Sequence, residues 1–246
     1  MRIRPAVALL AVCVLSACSG VSNLFKAYEY EEEMYLALDG TATIYVNGSV
    51  AALNALRGSS FDTDPSVAPE RDAVRAFFSS PNAHVTRVTL SRRSNRRYVH
   101  VRLDVDNIEH LAETKPFAWS TYSFKRDGEL YYYKQAVGQA SGTTVGDVGW
   151  KGSEIVGFRI HLPSKIVYHN AGAGNPSRGN ILAWEQSLAD RLLSAPLVLD
   201  ARMETQSILY RTLALFGVTF LVVAALFVGL IWWVIRHGMR PKRSIS

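Results

Sequence analysis

The chain has 246 residues and a mass of 27.2 kDa, enough for one sizeable domain with accessory segments or for two small domains. Its formal net charge of +6 comes entirely from residues 1–18 and 236–246, so the basic balance gives no support to nucleic-acid binding. Cys13 and Cys18 are the only two cysteines, which excludes a disulfide framework, a cysteine zinc site and a nucleophilic cysteine in the body of the chain.

The N-terminus has the layout of a secretory signal peptide. Two arginines precede an apolar run over residues 6–15, which is too short to span a bilayer. The next segment, Leu15-Ser16-Ala17-Cys18, resembles the lipobox of bacterial lipoproteins. This resemblance implies cleavage before Cys18, attachment of a diacylglyceryl group to its thiol and acylation of the new amine. Ordinary cleavage, for example after Gly20, is the alternative.

Alternation of apolar and polar side chains dominates the segment between the two ends and predicts β-strands. The clearest strand covers residues 99–105, in which every second side chain is apolar. Asp39-Gly40 and Asp127-Gly128 each lie between alternating runs and predict hairpin turns. The other predicted strands cover residues 34–38, 42–46, 85–90, 118–126, 129–137, 156–162, 166–168, 181–185 and 197–204.

Helical periodicity is confined to short segments. Residues 49–57 predict a helix with Ser49 as its N-cap and Gly58 at its end, and residues 69–79 predict a second helix. A single helical turn is expected at residues 108–113. Segments rich in Gly, Ser and Asp predict surface loops at residues 58–68, 138–153 and 170–180. The predicted fold class is therefore α+β, a mainly antiparallel sheet of seven to nine strands with two short helices on one face.

The C-terminal part of the chain predicts a transmembrane helix. Residues 212–235 contain no charged side chain, and a helix of that length reaches roughly 36 Å, against about 30 Å for a hydrocarbon core. Trp232 and Trp233 lie where an interfacial aromatic belt is expected. Four basic residues follow, which by the positive-inside rule predicts a cytoplasmic tail. A buried helix of a soluble protein is the alternative.

Together these signals predict the topology of the whole chain. A signal peptide with a lipobox covers residues 1–17, and an extracytoplasmic domain covers residues 18–206. A transmembrane helix covers residues 207–235, and a cytoplasmic basic tail covers residues 236–246. The expected location is the bacterial cytoplasmic (inner) membrane, crossed once, with the main domain outside and the C-terminus inside.

No combination of residues predicts catalysis, a cofactor or a metal site. None of the six histidines has the spacing of a zinc motif, although His161 and His169 flank Pro163 and could approach each other. The acidic run from Glu29 to Glu33 is interpreted as a solvated strand edge and not as an acid–base pair. We therefore expect no enzymatic activity.

Two surface features are candidates for binding. Arg92, Arg93, Arg96 and Arg97 lie between two predicted strands, so they are expected at a hairpin tip. Such a tip could contact anionic lipid headgroups, or it could simply be a polar turn that ends a sheet. Residues 131–133 are three consecutive tyrosines, which place aromatic rings on both faces of one strand, one for the core and one for a possible ligand or partner.

Two stretches of the sequence together resemble the LppM-like domain family of membrane-anchored bacterial lipoproteins. The first contains Cys18 and then Met34-Tyr-Leu-Ala-Leu-Asp39-Gly40, and the second runs from Phe158 through Leu162-Pro163 to Asn170, followed by Gly179 and Trp184. A late transmembrane helix completes the same order of parts. The resemblance implies a membrane-anchored, extracytoplasmic α+β domain that binds envelope lipids or glycolipids. It implies no catalytic residues.

The sequence thus predicts a non-enzymatic envelope lipoprotein whose extracytoplasmic domain binds a lipid-like ligand or a membrane partner. The expected partners are the lipid bilayer, a lipid or glycolipid ligand and an envelope protein, and nucleic acid is not expected. The alternative is a structural or assembly subunit of an envelope protein complex.

Overall fold

The computed structural model describes residues 28–176 and 179–238, which include ten strands and several helices. The strands are β1 Tyr28–Leu36, β2 Ala42–Ser49, β3 Ala83–Arg93, β4 Arg96–Val105, β5 Ser120–Asp127, β6 Leu130–Val137, β7 Ile155–His161, β8 Ser164–His169, β9 Ile181–Ser187 and β10 Leu197–Ser207. The α-helices are α1 Val50–Arg57, α2 Arg71–Phe78, α3 Leu188–Leu192 and α4 Ile208–Gly238. Two 3-10 helices cover Ile108–Glu113 and Lys115–Phe117.

The strands form two sheets that share one core. The six-stranded sheet has the order β3-β4-β2-β1-β7-β9, and the four-stranded sheet has the order β5-β6-β10-β8. In β2 the alternate residues Ala42, Ile44 and Val46 are all buried, and in the four-stranded sheet Tyr133 and Leu199 point into the same cluster. Burying each large apolar side chain stabilises the fold by about 1.5–3 kcal/mol, so the two inner faces hold the sheets together.

The predicted α+β class with mainly antiparallel pairing is confirmed, but the predicted single sheet is wrong. In the part of the chain that the structure describes, ten strands lie in two sheets and β1 pairs with β7 in parallel. Besides the two predicted helices and the predicted turn at residues 108–113, this part has two further short helical segments, at Lys115–Phe117 and Leu188–Leu192. Alternation shows that a strand has one apolar face but does not show which strands are its neighbours. Two sheets that pack face to face therefore produce the same pattern as one sheet covered by helices.

Local signals were more reliable than the arrangement of strands. The Asp39-Gly40 turn joins β1 to β2, with Gly40 at φ 86° and the Asp39 carboxylate accepting the Thr41 N–H at 3.0 Å. Helix α1 begins after Ser49, whose Oγ accepts the Ala52 N–H at 3.0 Å, and it ends at Gly58 with φ 70°. The N-cap at Ser49 and the end at Gly58 are as the sequence predicts, and the left-handed conformation of Gly58 is typical of a helix C-terminus.

The acidic run does not lie at a sheet edge, and that prediction is wrong. Strand β1 is central, between β2 and β7, and both Glu29 and Glu32 are buried. A β-bulge against β7, between Tyr28 and Tyr30, allows Glu29 and Tyr30 both to be buried although they are adjacent in sequence. Only Glu31 and Glu33 lie on the outer face.

The long helix α4 follows β10 directly. The Ile208 N–H donates to the Pro163 carbonyl at 3.1 Å, so the start of α4 is bonded to the β7–β8 connection. Within the described residues, Ile208–His237 is the one helix long and apolar enough to cross a membrane, and the domain buries none of its apolar segment. The predicted signal peptide and the tail beyond residue 238 lie outside the described residues.

The start of α4 and the β3–β4 hairpin tip are at opposite ends of the six-stranded sheet. Pro163 follows the end of β7 that pairs with the end of β1, whereas the hairpin tip lies beside the beginning of β1. A strand of nine residues is about 30 Å long at about 3.3 Å per residue. The predicted lipid-contact arginines are therefore separated from the start of α4 by roughly the length of the sheet.

Candidate functional site

The β3–β4 hairpin places the four predicted arginines at one end of the six-stranded sheet. Ser94 and Asn95 form its turn with φ 49° and 57°, and the register pairs Arg93 with Arg96 and Arg92 with Arg97. Two consecutive positive φ values are typical of the two-residue turns that fit the twist of a hairpin. The prediction of a hairpin tip is confirmed.

Two of these arginines, Arg96 and Arg97, are bonded to loops distant in sequence. Arg97 donates through Nε to the Pro65 carbonyl at 2.7 Å and through Nη2 to the Ser66 carbonyl at 3.2 Å. Arg96 donates to the Gly149 carbonyl at 3.0 Å, and its Nη2 lies 3.1 Å from Glu29 Oε2. These contacts fasten the loops at residues 58–68 and 138–153 to the hairpin.

The other two arginines of the tip differ from each other. Arg93 donates to the Tyr28 carbonyl at 2.8 Å, and its guanidinium lies 4.4 Å from the centre of the Tyr98 ring. Arg92 is exposed and donates to Asn95 Oδ1 at 2.7 Å, within the turn itself. The tip is therefore an organised support for two loops, and contact of its arginines with lipid headgroups stays a prediction.

Glu29 anchors the base of this region and was missed by the sequence interpretation. It is 1% exposed, accepts the Tyr98 hydroxyl at 2.8 Å and the Trp150 indole N–H at 2.9 Å, and pairs with Arg96. A buried carboxylate needs such partners because an unpaired one would be strongly destabilising. Glu29 thereby connects β1 to the hairpin and to the 138–153 loop.

The two loops keep their shape through aspartate side chains. Asp62 Oδ1 accepts the Asp64 N–H at 2.9 Å, Asp64 Oδ1 accepts the Ser66 N–H at 2.7 Å, and Asp147 Oδ1 accepts the Gly149 N–H at 3.0 Å. The hydrogen bonds that Asp64 accepts from the Ser66 hydroxyl and N–H hold the pKa of its carboxyl below the ordinary value. The Asp64 carboxyl is therefore ionised at neutral pH.

A cleft of about 560 Å³ lies between the hairpin tip and these two loops. It is lined by Val50, Ala51, Asp62, Thr63, Asp64, Pro65, Ser94, Asn95, Arg96, Arg97, Asp147, Val148 and Gly149. The volume is in the range of small-molecule sites, but the lining combines carboxylates, guanidinium groups, hydroxyls and an amide. Such a lining suits a polar group that can both donate and accept hydrogen bonds, and it does not suit an acyl chain.

A second polar cluster lies in the core, where α1 meets both sheets. We call it the buried seam; it comprises Tyr30, Glu32, Arg57, Trp119, Tyr122 and Gln135. Arg57 Nη2 lies 2.5 Å from Glu32 Oε2, and both side chains are almost completely buried. The guanidinium also donates to the Pro116 carbonyl at 2.8 Å and lies 3.7 Å from the centre of the Trp119 ring.

The buried seam joins the two sheets and has the properties of a structural element. Gln135 Nε2 donates to Glu32 Oε1 at 3.4 Å from the four-stranded sheet, and the Tyr30 hydroxyl contacts both Arg57 and Glu32. Burial raises the pKa of Tyr30, so its hydroxyl stays protonated. The residues that line the cleft include none of these side chains.

The outer face of the six-stranded sheet carries a third group of polar side chains. His161 Nε2 lies 2.6 Å from Glu33 Oε1, and the Tyr35 ring stacks on the imidazole with centroids 3.8 Å apart. The hydrogen bond with His161 holds the pKa of Glu33 below its ordinary value, and Arg159 acts in the same direction. His169 lies on β8 in the other sheet, so the two predicted histidines are on different sheets.

The remaining predicted residues have mostly structural positions. Tyr133 is buried in the core and Tyr132 faces outward beside Arg202, so the tyrosine run does place aromatic rings on both faces of β6. Asn170 Oδ1 accepts the Trp184 indole N–H and the Asp200 N–H, both at 2.9 Å, and thereby links the two sheets. Across residues 28–176 and 179–238, no group of three or more His, Cys, Asp or Glu side chains could hold a metal ion. Cys18 lies outside the described residues.

Comparison with known proteins gives a distant structural similarity. No family model matches the chain, and no curated protein matches it. The chain is similar to a solved structure described as the NMR structure of the folded domain of the Mycobacterium tuberculosis LppM protein. The two share 11% sequence identity and a TM-score of 0.41, over 73% of this chain and 92% of that one.

Proposed function

We propose that the chain is a non-enzymatic, membrane-anchored lipoprotein of the bacterial envelope whose extracytoplasmic domain binds the polar headgroup of a lipid or glycolipid. Anchoring is supported by the exposed apolar helix α4 and by the lipobox sequence that ends at Cys18. The basic residues that follow the apolar segment support a cytoplasmic C-terminus. The domain then lies on the outer side of the cytoplasmic membrane.

The observation that carries the ligand proposal is the polar cleft at the hairpin tip. Four chain segments form it, and the hydrogen bonds of Arg96 and Arg97 to loop carbonyls fix its walls before any ligand binds. A preorganised site binds more tightly because less conformational entropy is lost on binding. Aspartate and arginine side chains that line the same cleft match a ligand with several hydroxyl groups, which donates to carboxylates and accepts from guanidinium groups. A glycan-bearing headgroup has this chemistry.

The proposal is tested by lipid capture on the full-length protein. Detergent-solubilised protein is mixed with a total lipid extract of bacterial envelopes and repurified, and the bound lipid is identified by mass spectrometry. The test variant carries Asp62→Asn and Asp147→Asn. Asparagine keeps the Oδ1 that accepts the loop N–H groups but removes the charge.

We expect the wild-type protein to retain a headgroup-bearing lipid and the variant to retain about tenfold less, because hydrogen bonds to charged groups are each worth about 1.5–3 kcal/mol. The matched control is Asp127→Asn at the β5–β6 hairpin tip, which should retain as much lipid as the wild type. Equal retention by all three proteins, or no retained lipid at all, would contradict the proposal.

A second candidate function is a structural subunit of an envelope complex, favoured by the outer face of the six-stranded sheet. Tyr35 is 42% exposed there although it stacks on His161, and Glu33 and Arg159 lie beside it. A photocrosslinking amino acid in place of Tyr35 would capture a partner seated on this face. A single stoichiometric crosslinked protein would support this second function, and no discrete product would count against it.

A further inference from the structure

A row of alternating tyrosines and cations crosses the outer face of the four-stranded sheet. The register places Tyr168 of β8 beside Arg202 of β10, Arg202 beside Tyr132 of β6, and Tyr132 beside Lys125 of β5. Four neighbouring strands about 4.8 Å apart make this row roughly 14 Å wide. We call these four residues the tyrosine–cation row.

Arg202 lies between the two tyrosines of the row. Its guanidinium carbon lies 4.6 Å from the centre of the Tyr168 ring and 5.3 Å from the centre of the Tyr132 ring. Its Nε is buried and has no hydrogen-bond partner among the described residues. The guanidinium is thus within cation–π distance of both rings.

Other cationic and apolar side chains lie on the four-stranded sheet, together with carboxylates. Lys134 and Lys165 are exposed, and Lys165 pairs with Glu204 at 3.4 Å. Asp200 lies opposite Lys134 in the register. Val167 and Val198 are 56% and 39% exposed, so apolar groups accompany the cations.

The chain runs from this sheet directly into the membrane-spanning helix. Arg202 lies six positions before Ile208, which places the row within about 20 Å of the start of α4 along the strand. Tyrosine rings with Arg and Lys side chains are the residues found where a protein surface meets the headgroup region of a bilayer. The arginine tip, by contrast, has three of its four guanidinium groups bonded to segments outside the hairpin, and it lies at the far end of the other sheet.

From this arrangement we infer that the four-stranded sheet lies with its outer face on the bilayer, where the tyrosine–cation row binds the phosphates of anionic lipids. The inference rests on the proposed anchoring of the chain through α4. The row, and not the arginine tip, is then the contact between the domain and the bilayer surface. This orientation leaves the cleft at the hairpin tip open for a ligand.

Fluorescence energy transfer to the membrane surface tests this orientation. The full-length chain, with Cys13 and Cys18 replaced by serine, carries a donor dye on Ser123→Cys of the four-stranded sheet or on Thr89→Cys of the six-stranded sheet. Both residues are half-buried hydroxyl residues on the outer face of their sheets. Liposomes contain a headgroup-labelled acceptor lipid in phosphatidylcholine alone or in an equal mixture with phosphatidylglycerol.

We expect strong transfer from the Ser123 position and weak transfer from the Thr89 position. The Ser123 signal should rise with phosphatidylglycerol and fall at about 1 M salt, where the Debye length is roughly 3 Å. Equal energy transfer from both positions would overturn the inference. Energy transfer from position 123 that does not change with lipid charge would also overturn it. Failure of the chain to float with the liposomes would instead contradict the anchoring itself, so the two failures are distinguishable.

Charge-reversal variants test which residues bind the domain to the anionic bilayer. Lys125→Glu with Arg202→Glu should lower the ratio of docked to undocked protein by about tenfold or more, because each cation near an anionic surface is worth about 1 kcal/mol. The matched control, Arg87→Glu with Arg102→Glu, reverses two cations on the outer face of the six-stranded sheet, one of them stacked over Tyr45. Similar losses in both variants would contradict the assignment, and circular dichroism confirms that each variant is folded.

Discussion

The buried seam and the cleft at the hairpin tip contain the same residue types but differ in their surroundings. In each, an arginine pairs with a glutamate of β1: Arg57 with Glu32 in the seam, and Arg96 with Glu29 at the cleft. The seam pair lies among aromatic rings and has no opening to solvent, whereas the arginine of the cleft pair is 15% exposed at the edge of a 560 Å³ space. Burial, and not residue type, therefore separates the ion pair in the core from the one that borders the cleft.

The largest expected loss of stability is in the buried seam. Glu32→Ala leaves Arg57 buried without its carboxylate, which should lower the free energy of unfolding by about 3–5 kcal/mol. Replacing both partners, Glu32→Leu with Arg57→Met, should cost far less because neither charge remains buried. Chemical denaturation followed by tryptophan fluorescence measures both values. The matched control Glu31→Ala, on the outer face of the same strand, should change stability little, and an equal loss there would remove the distinction between the two faces.

A smaller effect is expected at the cleft. Glu29→Ala removes the acceptor for Tyr98 and Trp150 and the partner of Arg96, but solvent can reach Arg96. The expected loss is about 1–3 kcal/mol, less than for Glu32→Ala, because a partly hydrated guanidinium pays a smaller penalty. The same denaturation experiment gives the value. A loss as large as that of Glu32→Ala would show that the two pairs are energetically alike and would contradict the comparison.

A local effect is expected when a loop contact of the cleft is removed. Arg97→Gln loses the hydrogen bonds to the Pro65 and Ser66 carbonyls, which together are worth about 1–3 kcal/mol. Hydrogen exchange should therefore become faster in residues 58–68 and stay unchanged in the core strands. The control Arg126→Gln removes an exposed arginine at the β5–β6 tip and should leave that loop protected. Unchanged exchange in both variants would mean that Arg97 does not hold the loop.

The smallest expected effect lies outside both regions, at Glu33 on the outer sheet face. Because hydrogen bonding to His161 lowers the folded-state pKa of Glu33 below 4.5, its contribution to stability is present above that pH and is lost as the pH falls through the folded-state pKa. Glu33→Gln should remove this part of the acid destabilisation. Thermal melts between neutral pH and pH values below 4.5 measure it. A variant that loses stability with acid as steeply as the wild type would contradict the assignment.

The sequence predicted local structure well because short-range chemistry determines it. The Asp-Gly turns, the Ser49 cap and the hairpin tip of Arg92–Arg97 each depend on residues close together in the chain. The buried seam could not be predicted in this way, because Glu32 and Arg57 are 25 positions apart and a glutamate in an alternating strand resembles a solvated residue. The cleft was predicted only in part, since its arginines were identified but their loop partners at residues 58–68 and 138–153 were not.

The membrane topology is the claim on which both binding proposals depend, and cysteine labelling in cells tests it directly. A membrane-impermeant maleimide is applied to intact spheroplasts that express the chain with Thr144→Cys, in the exposed 138–153 loop, or with Ser244→Cys, in the basic tail. Both chains lack Cys13 and Cys18. We expect the cysteine at position 144 to be labelled in intact cells and the cysteine at position 244 to be labelled only after permeabilisation. Labelling of residue 244 in intact cells, with residue 144 protected, would contradict it.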